Sequence, residues 1–378
     1  MKKSPVEKSI LNDISVNEII PTAVVYCQGE FGRLDGKTAN GLIQHSNAYN
    51  IVSVIDSSQA GQDSGMILNG RVNGIPILDN LDDVILHLGI IPEFLIYGLA
   101  PSEGRLSQPD RELIIKAIGH GINIVSGLHQ FLGNDKELKN LAEANHVTLH
   151  DIRKPNPNES LRVFDGSIQT VRSRRIAILG TDCAIGKRTT ATLLSNALNA
   201  KQIKTTLVTT GQTGLIQGNR FGIVMDALPS QFCAGELEGC IVRAAAEENP
   251  EIIVIEGQGA LSHPAFCTSG LILRGSMPDG VILQHSPTRV YRCDFPTMKL
   301  PDLADEIRLI EAFSNTKVIG ITINHEGINA DELPGVIESY RQTYGLPVCD
   351  ALRSPAEDLT KMVTSSFGCS KNIGQNVL

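Results

Sequence analysis

The segment Ile176-Ala177-Ile178-Leu179-Gly180-Thr181-Asp182-Cys183-Ala184-Ile185-Gly186-Lys187-Arg188-Thr189-Thr190 constrains this chain more than any other. A short apolar run enters a turn bounded by two glycines, and a stretch with helical character follows from Thr189 to Leu198. Strand, glycine-bounded loop and helix in that order put a helix N-terminus, with its unspent N–H groups and positive dipole end, where an anion can reach it. A lysine at that end adds a point charge for the β- and γ-phosphates of a nucleotide. The candidate phosphate-binding residues are therefore Gly180, Thr181, Asp182, Cys183, Ala184, Ile185, Gly186, Lys187, Arg188, Thr189 and Thr190. Two departures from the common pattern stand out. Five residues rather than the usual four separate Gly180 from Gly186, and Arg188 occupies the place where Ser or Thr ordinarily meets magnesium. Thr189 or Thr190 would have to serve the metal from one place further on.

With 378 residues the chain is long enough for two domains, each burying a full core. Its net charge of -8 argues against nucleic acid as a partner, because binding a phosphate backbone needs a basic face. Met1 to Asp13 is charged and lacks an apolar core, so no signal peptide is expected there. No apolar run approaches the ~18 residues of a membrane span, so no membrane partner and a cytoplasmic setting are expected. The eight cysteines form no Cys-x-x-Cys pair and read as reduced thiols. Cys183 is expected either to have a lowered pKa, beside a helix N-terminus and Lys187, or to be a small residue that fits a tight loop. An acidic enzyme of this size is expected to be a homo-oligomer.

The polar, Pro/Asn-rich run Arg153 to Glu159 marks a linker, giving domains at 1–160 and 161–378. Before it, Ala23–Tyr26, Ile51–Ile55, Phe94–Tyr97 and Ile122–Val125 read as buried parallel strands, with helices at Asp82–Leu88 and Arg111–Ile118. This is a Rossmann-like parallel-sheet domain. Its first turn carries Gly29 and Gly32 ahead of Gly36-Lys37-Thr38, one residue short of the usual phosphate-loop spacing, and Asp56 closes the second strand where a ribose-binding acid would sit. His129 follows the last strand in Ser126-Gly127-Leu128-His129. Gly29, Gly32, Asp56 and His129 thus mark either a second ligand site for a nucleotide-like or CoA-like molecule or a structural turn.

After the linker a second α/β series, of the P-loop NTPase type, runs on to a Ser/Gly/Asn-rich tail at Ser365–Leu378, expected to be poorly ordered. Thr205–Thr209 is a strand leading into a donor-rich loop, Thr210 to Gly214. Glu251–Ile255 is another, ending in Glu256-Gly257-Gln258-Gly259, and an acid at that place can hold magnesium or its water shell. Asp226 follows a strand-like run, and Ala234 to Glu238 opens a helix whose carboxylates complement the dipole. His263 stands in Ser262-His263-Pro264, and His285 ends the strand Gly280–Leu283 with Arg289 close behind. Histidines and an arginine at strand ends can bind a carboxylate and move a proton.

The loop Gly180-Thr181-Asp182-x3-Gly186-Lys187 resembles the variant phosphate loop of dethiobiotin synthetase and related ATP-dependent amide-forming enzymes. Glu256-Gly257-x-Gly259 is similar to the Glu-Gly-Ala-Gly of that enzyme, whose glutamate is a metal ligand. The resemblance implies Glu256 as a metal ligand, beside Thr189 from the position next to Arg188, and Asn324, after the strand Val318–Ile323, as a purine reader. Ser126 to His129, Gly180 to Lys187, Thr210 to Gly214, Glu256 to Gly259 and Ser262 to Pro264 together resemble the DgcN-like family, long catalogued as a domain of unknown function. Spanning nearly the whole chain, that resemblance implies a Rossmann-like domain followed by a P-loop domain, and N-acetylation of D-glutamate from acetyl-CoA.

Acetyl transfer needs a base for the substrate amine and donors for the thioester oxyanion. His285 or His263 is the expected base, with Glu256 beside them. Backbone N–H groups of Gly211–Gly214 or Gly257–Gly259 are the expected donors. Gln212, Thr213, Gly214, Gln258 and Arg289 are the expected substrate-binding residues, with Arg274 an alternative clamp for a carboxylate. Three functions stay open: an acetyl-CoA-dependent N-acyltransferase acting on a D-glutamate-like amino acid, an ATP- and magnesium-dependent ligase, and a nucleotide-binding regulator.

Overall fold

The computed structural model describes residues 20–101 and 104–368, so the expectations for 1–13 and for the end of the tail lie outside it. The described part of that tail, as far as Phe367, is the last turn of a helix, Ala356–Phe367. The chain forms two compact units, and they are not simply its two halves. Gln212–Arg220 belongs with the unit that ends at Pro155, while Asn156–Gly211 and the chain from Phe221 form the other.

In the first unit six strands, β1 (Thr22–Tyr26), β2 (Asn50–Ile55), β3 (Ile77–Leu78), β4 (Phe94–Tyr97), β5 (Asn123–Ser126) and β6 (Leu149–Asp151), form a parallel sheet in the order β3-β2-β1-β4-β5-β6. Alternate side chains of β1 enter different cores: Val24 and Tyr26 on one face, Ala23 and Val25 on the other. Burial on both faces is why the strands read as continuous apolar runs. The strand order reverses between β1 and β4, where doubly wound sheets open a crevice. Here two backbone segments approach closely. Gly98, just past β4, accepts the Ala39 N–H at 3.1 Å, and a Cβ on Gly98 would lie 2.7 Å from Val25 and 2.8 Å from Ala39.

The short helix Gln212–Ile216 forms where the sequence pointed to a loop. Ile216 joins the core beside Ala39 and Leu42. The Gln217 side chain donates to the carbonyls of Gly41 (2.8 Å) and His45 (2.9 Å).

The second unit is a seven-stranded parallel sheet of β7 (Arg174–Gly180), β8 (Thr205–Thr209), β9 (Phe221–Gly222), β10 (Ile252–Glu256), β11 (Gly280–His285), β12 (Lys317–Ile323) and β13 (Val348–Asp350), in the order β13-β12-β11-β7-β10-β8-β9. Central β7 sends Ala177 and Leu179 to the face covered by the helices Ser230–Glu248 and Thr268–Ser276, and Ile176 and Ile178 to the face covered by Lys187–Ala200 and Ala356–Phe367. Every strand therefore delivers its carboxyl end, and the loop after it, to one edge. No helix among the described residues is long and apolar enough to cross a membrane.

The helix Ser230–Glu248 begins one turn before the expected Ala234, which places the Glu236 and Glu238 carboxylates beyond the N-terminal dipole. They serve another purpose. Glu236 accepts the N–H of Arg162 (2.6 Å), and fully buried Glu238 accepts those of Asp165 (2.9 Å) and Ile168 (3.1 Å), fastening the segment that leads into β7. Glu238→Ala leaves both donors without an acceptor and is expected to destabilise this unit by about 3 kcal/mol, with Glu238→Gln costing roughly half as much. Urea unfolding of the full chain measures the difference, and an alanine variant within about 0.5 kcal/mol of wild type would contradict this account.

Candidate functional site

The phosphate loop runs from the end of β7 to the helix Lys187–Ala200. Gly186 caps that helix at φ 98°, a left-handed conformation that favours glycine. Gly180 has a separate reason: a Cβ there would lie 2.8 Å from both the Ile185 side chain and the Lys187 stem. No side chain caps the helix, and its first backbone bond runs from Thr190 N–H to the Gly186 carbonyl at 2.9 Å. The N–H groups of Lys187, Arg188 and Thr189 thus have no partner within the helix. Lys187 is buried, and its ammonium donates to the Asp182 carbonyl. Burial holds its pKa below the usual lysine range, a penalty that a bound anion would relieve.

A ring of side chains fixes the loop. Asp182, fully buried, accepts Arg289 Nη1 at 3.0 Å and the Cys293 N–H at 2.9 Å on one carboxylate oxygen. Arg289 also donates to the Cys183 carbonyl (2.8 Å) and to Glu326 (2.7 Å), so this expected substrate clamp is occupied with protein acceptors. Asn324, the expected purine reader, donates its side-chain amide to the Ile185 carbonyl at 3.0 Å. Thr190 donates to Gln284, which also accepts from Thr322. His285 lies between Thr181 (Nδ1 to Oγ1, 3.0 Å) and Tyr340 (Nε2 to the hydroxyl, 3.2 Å), and burial pushes its pKa down to about 4. Both nitrogens of this largely neutral imidazole are thus engaged by hydroxyl groups.

Glu256, at the end of β10, accepts the Thr209 hydroxyl and the Thr210 N–H (3.2 Å). Burial raises its pKa, and the strongest opposing influence is the positive charge of Arg188. Gln258 donates to the Thr210 carbonyl at 2.6 Å, so its amide braces one loop against another. Arg274 lies over the Phe313 ring, 4.8 Å from its centroid, on the exposed side of its helix.

His263 has a buried side chain whose Nδ1 accepts the Ala265 N–H at 3.2 Å. That bond puts the proton of a neutral imidazole on Nε2 and makes this nitrogen a donor. Nearby is Arg292, which no sequence motif marked. Its Nη2 donates to the Ser262 carbonyl and hydroxyl, both at 3.0 Å, and its Nη1 lies 3.9 Å from the free oxygen of Asp182. Asp182 Oδ1, His263 Nε2 and Arg292 Nη1 are all buried without a hydrogen-bond partner. The Cys183 thiol lies within 4.8 Å of ligand atoms of Asp182 and His263. Its pKa is pushed up by a hydrogen bond with the Cys293 thiol and by burial, against the lowering by Lys187, which reverses the first of the two expectations for it.

The remaining candidates belong to the first unit. Asp56 is fully buried and accepts Gly29 N–H (2.9 Å), Phe31 N–H (3.3 Å) and both the N–H (3.0 Å) and hydroxyl (2.7 Å) of Ser58, so it braces this turn from within the protein. Gly29 and Gly32 have φ of 74° and 79° in that turn, and the Gly32 N–H goes to Asn40 at 2.9 Å. Of the two readings of this turn, these bonds favour the structural one. His129 is exposed after β5. Thr213 meets the Thr38 hydroxyl at 3.0 Å, the Gln212 stem packs over Gly127, and the Gly214 carbonyl accepts the Asn219 side chain at 2.9 Å. None of these three belongs to the unit that carries the phosphate loop.

Comparison with known proteins agrees with this architecture. Residues 162–360 match the family model described as a domain of unknown function, the DUF1611 C-terminal P-loop domain, and residues 57–155 match its N-terminal Rossmann-like domain. The chain is 33% identical over 272 residues to a protein of Tritonibacter scottomollicae named D-glutamate N-acetyltransferase, covering 69% of this chain and 78% of that protein. It is 32% identical over 271 residues to a Pseudoalteromonas protein of the same name, covering 70% and 79%. A crystallised DUF1611 family protein from Anabaena variabilis superposes with a TM-score of 0.84 at 29% identity, over 91% of this chain and 99% of that one. Two adjoining domain matches and this shared fold make the chain a member of the DUF1611 family, as the resemblance drawn from its motifs implied.

Proposed function

We propose that this protein is an N-acetyltransferase that joins the acetyl group of acetyl-CoA to the amine of a D-glutamate-like amino acid. The observation that carries the proposal is the 33% identity over 272 residues to a protein of that name. The uncapped helix N-terminus beside a desolvated lysine supports it, because that cradle suits the diphosphate or the 3′-phosphate of CoA. Acetyl-CoA supplies the activated thioester: the amide C–N bond forms as the thioester C–S bond breaks, and CoA leaves as the thiol with the proton given up by the amine. The free N–H groups of Lys187, Arg188 and Thr189 and the Lys187 ammonium then hold its phosphates. Arg292 Nη1 and His263 Nε2 offer two donors, and Asp182 Oδ1 one acceptor, at the rim of the same loop. Two donors and an acceptor complement a carbonyl or carboxylate oxygen together with an amine N–H. In this scheme His285 is a positioning residue that holds Thr181.

Mass spectrometry of the purified protein with acetyl-CoA and a panel of D- and L-amino acids tests the proposal. N-acetyl-D-glutamate is the expected product and needs no ATP; no acetylated amino acid in any reaction would overturn the assignment. Lys187→Ala is expected to lower kcat/KM for acetyl-CoA about 100-fold, the effect of losing one charge-assisted contact of ~3 kcal/mol.

The buried His285 also makes stability depend on pH. Its pKa falls from 6.5 to about 4 on folding, so between those values the unfolded chain binds a proton that the folded chain does not. Stability conferred by this site is therefore complete above pH 6.5 and is lost as pH falls towards 4, by about 3 kcal/mol. Denaturation midpoints of wild type and His285→Asn from pH 7.5 to 4.5 should converge as the pH drops; parallel curves would show that His285 titrates normally.

A further inference from the structure

Two thiols meet beside the phosphate loop. Cys183 lies within the loop and Cys293 in the segment after β11, and their sulfur atoms, with an oxygen of Asp294, all lie within 4.8 Å of one another. The two backbones are already held together around that contact. The Cys293 N–H donates to Asp182 at 2.9 Å, and the Cys293 sulfur lies 3.7 Å from the Cys183 carbonyl oxygen. Cys27, Cys233, Cys240 and Cys349 are buried, whereas Cys183 and Cys293 are both partly open to solvent. Neither thiol takes part in the acetyl transfer. Two thiols and a carboxylate are also ligands for a soft metal ion, but the surroundings here are cationic. Arg289 donates to the Cys183 carbonyl at 2.8 Å, Arg292 Nη1 lies 3.9 Å from Asp182, and His263 brings its protonated Nε2 to 3.8 Å from Asp294. Such a setting favours a thiolate over a metal cation.

We propose that Cys183 and Cys293 are a modification site, which a peroxide oxidises to a reversible disulfide that ties the phosphate loop to the segment after β11. The Cys293 thiolate attacks a peroxide oxygen, forming an S–O bond as the O–O bond breaks, and hydroxide leaves and takes up the proton that Cys293 gave to solvent. The Cys183 sulfur then attacks the sulfenic sulfur. The S–S bond forms, the S–O bond breaks, and the departing oxygen takes the Cys183 proton as water. Two thiols are oxidised and one peroxide is reduced to two waters. The hydrogen bond between the thiols lowers the pKa of Cys293 and raises that of Cys183, which gives the first attack to Cys293. A disulfide holds its sulfurs ~2 Å apart, so closure draws Cys183 towards Cys293. Cys183 stands between Asp182, whose carbonyl receives the Lys187 ammonium, and Ala184, held at a left-handed φ of 47°. The bridge therefore disturbs the loop that presents Lys187 and the helix N-terminus to a phosphate. This consequence rests on the loop being a phosphate site; the disulfide itself does not.

Treatment of the full-length protein with hydrogen peroxide, followed by alkylation and peptide mass spectrometry, tests the site. The expected product is lighter by two hydrogens and yields a Cys183–Cys293 cross-linked peptide that dithiothreitol removes. Cys183→Ser and Cys293→Ser should each abolish that peptide, and Cys267→Ser, at the exposed cysteine, should form it as wild type does. In calorimetric titration with inorganic pyrophosphate, oxidation is expected to weaken binding by about tenfold or more, with dithiothreitol restoring it. Peroxide that oxidises Cys267 while Cys183 and Cys293 stay separate would overturn the site. A bridge that leaves pyrophosphate binding unchanged would overturn its effect on the loop. If the bridge forms but the reduced protein binds no pyrophosphate, the disulfide stands and the phosphate reading fails.

Discussion

The candidate site depends first on the buried carboxylate of Asp182. Burying an unpaired ion costs several kcal/mol, so a carboxylate without solvent exposure persists only where donors replace its water. Here one oxygen receives Arg289 and the Cys293 N–H, and both partners come from the segment after β11. Arg289 extends the link to the Cys183 carbonyl and Glu326. The loop between Gly180 and Gly186 is thereby fixed from outside itself, and its helix N-terminus stays open. A longer loop has more conformations to lose on ordering, and the extra residue here is accompanied by these added restraints.

Charge balance sets what the open end can receive. Asp182 is engaged by Arg289 through its carboxylate, and the Lys187 ammonium donates to the Asp182 carbonyl. Removing a lysine from water is unfavourable, and burial lowers its pKa despite the opposing influence of the neighbouring Cys183 and Asp182. A phosphate at this helix end would bring negative charge beside the lysine and acceptors for the three backbone N–H groups of Lys187, Arg188 and Thr189.

Much of this was legible in the sequence, for identifiable reasons. Strand Thr205–Thr209 appears with the bounds its residues predicted, and the phosphate loop lies between the expected strand and helix, because buried parallel strands leave continuous apolar runs and glycines mark left-handed turns. β3, β6 and β13 were missed: the first has two residues, and Leu149-His150-Asp151 and Val348-Cys349-Asp350 are too short to form an apolar run. Side-chain roles were harder to foresee. Arg289, Asn324 and His285 stand at strand ends, as expected, yet they bond to the loop and not to open space. Arg292 carried no local signal at all, since only the fold brings it to Asp182.

The segment Gln212–Arg220 defines the limit of reading a chain in order. Its residues follow a strand of the second sheet and lie inside the family match at 162–360, so sequence assigns them to the phosphate-loop domain. Packing assigns them to the other unit, where Ile216 fills the core and Gln217 satisfies two carbonyls of the helix Lys37–Gln44 and its cap. A boundary drawn near residue 160 would strip the first unit of that apolar side chain and leave the Gly41 and His45 carbonyls without this donor. Hydrophobic periodicity records that Ile216 is buried but not which core receives it, because either core removes the same surface from water. Gln212, Thr213 and Gly214 consequently act within the Rossmann-like unit, and the phosphate loop must be understood from residues of its own sheet.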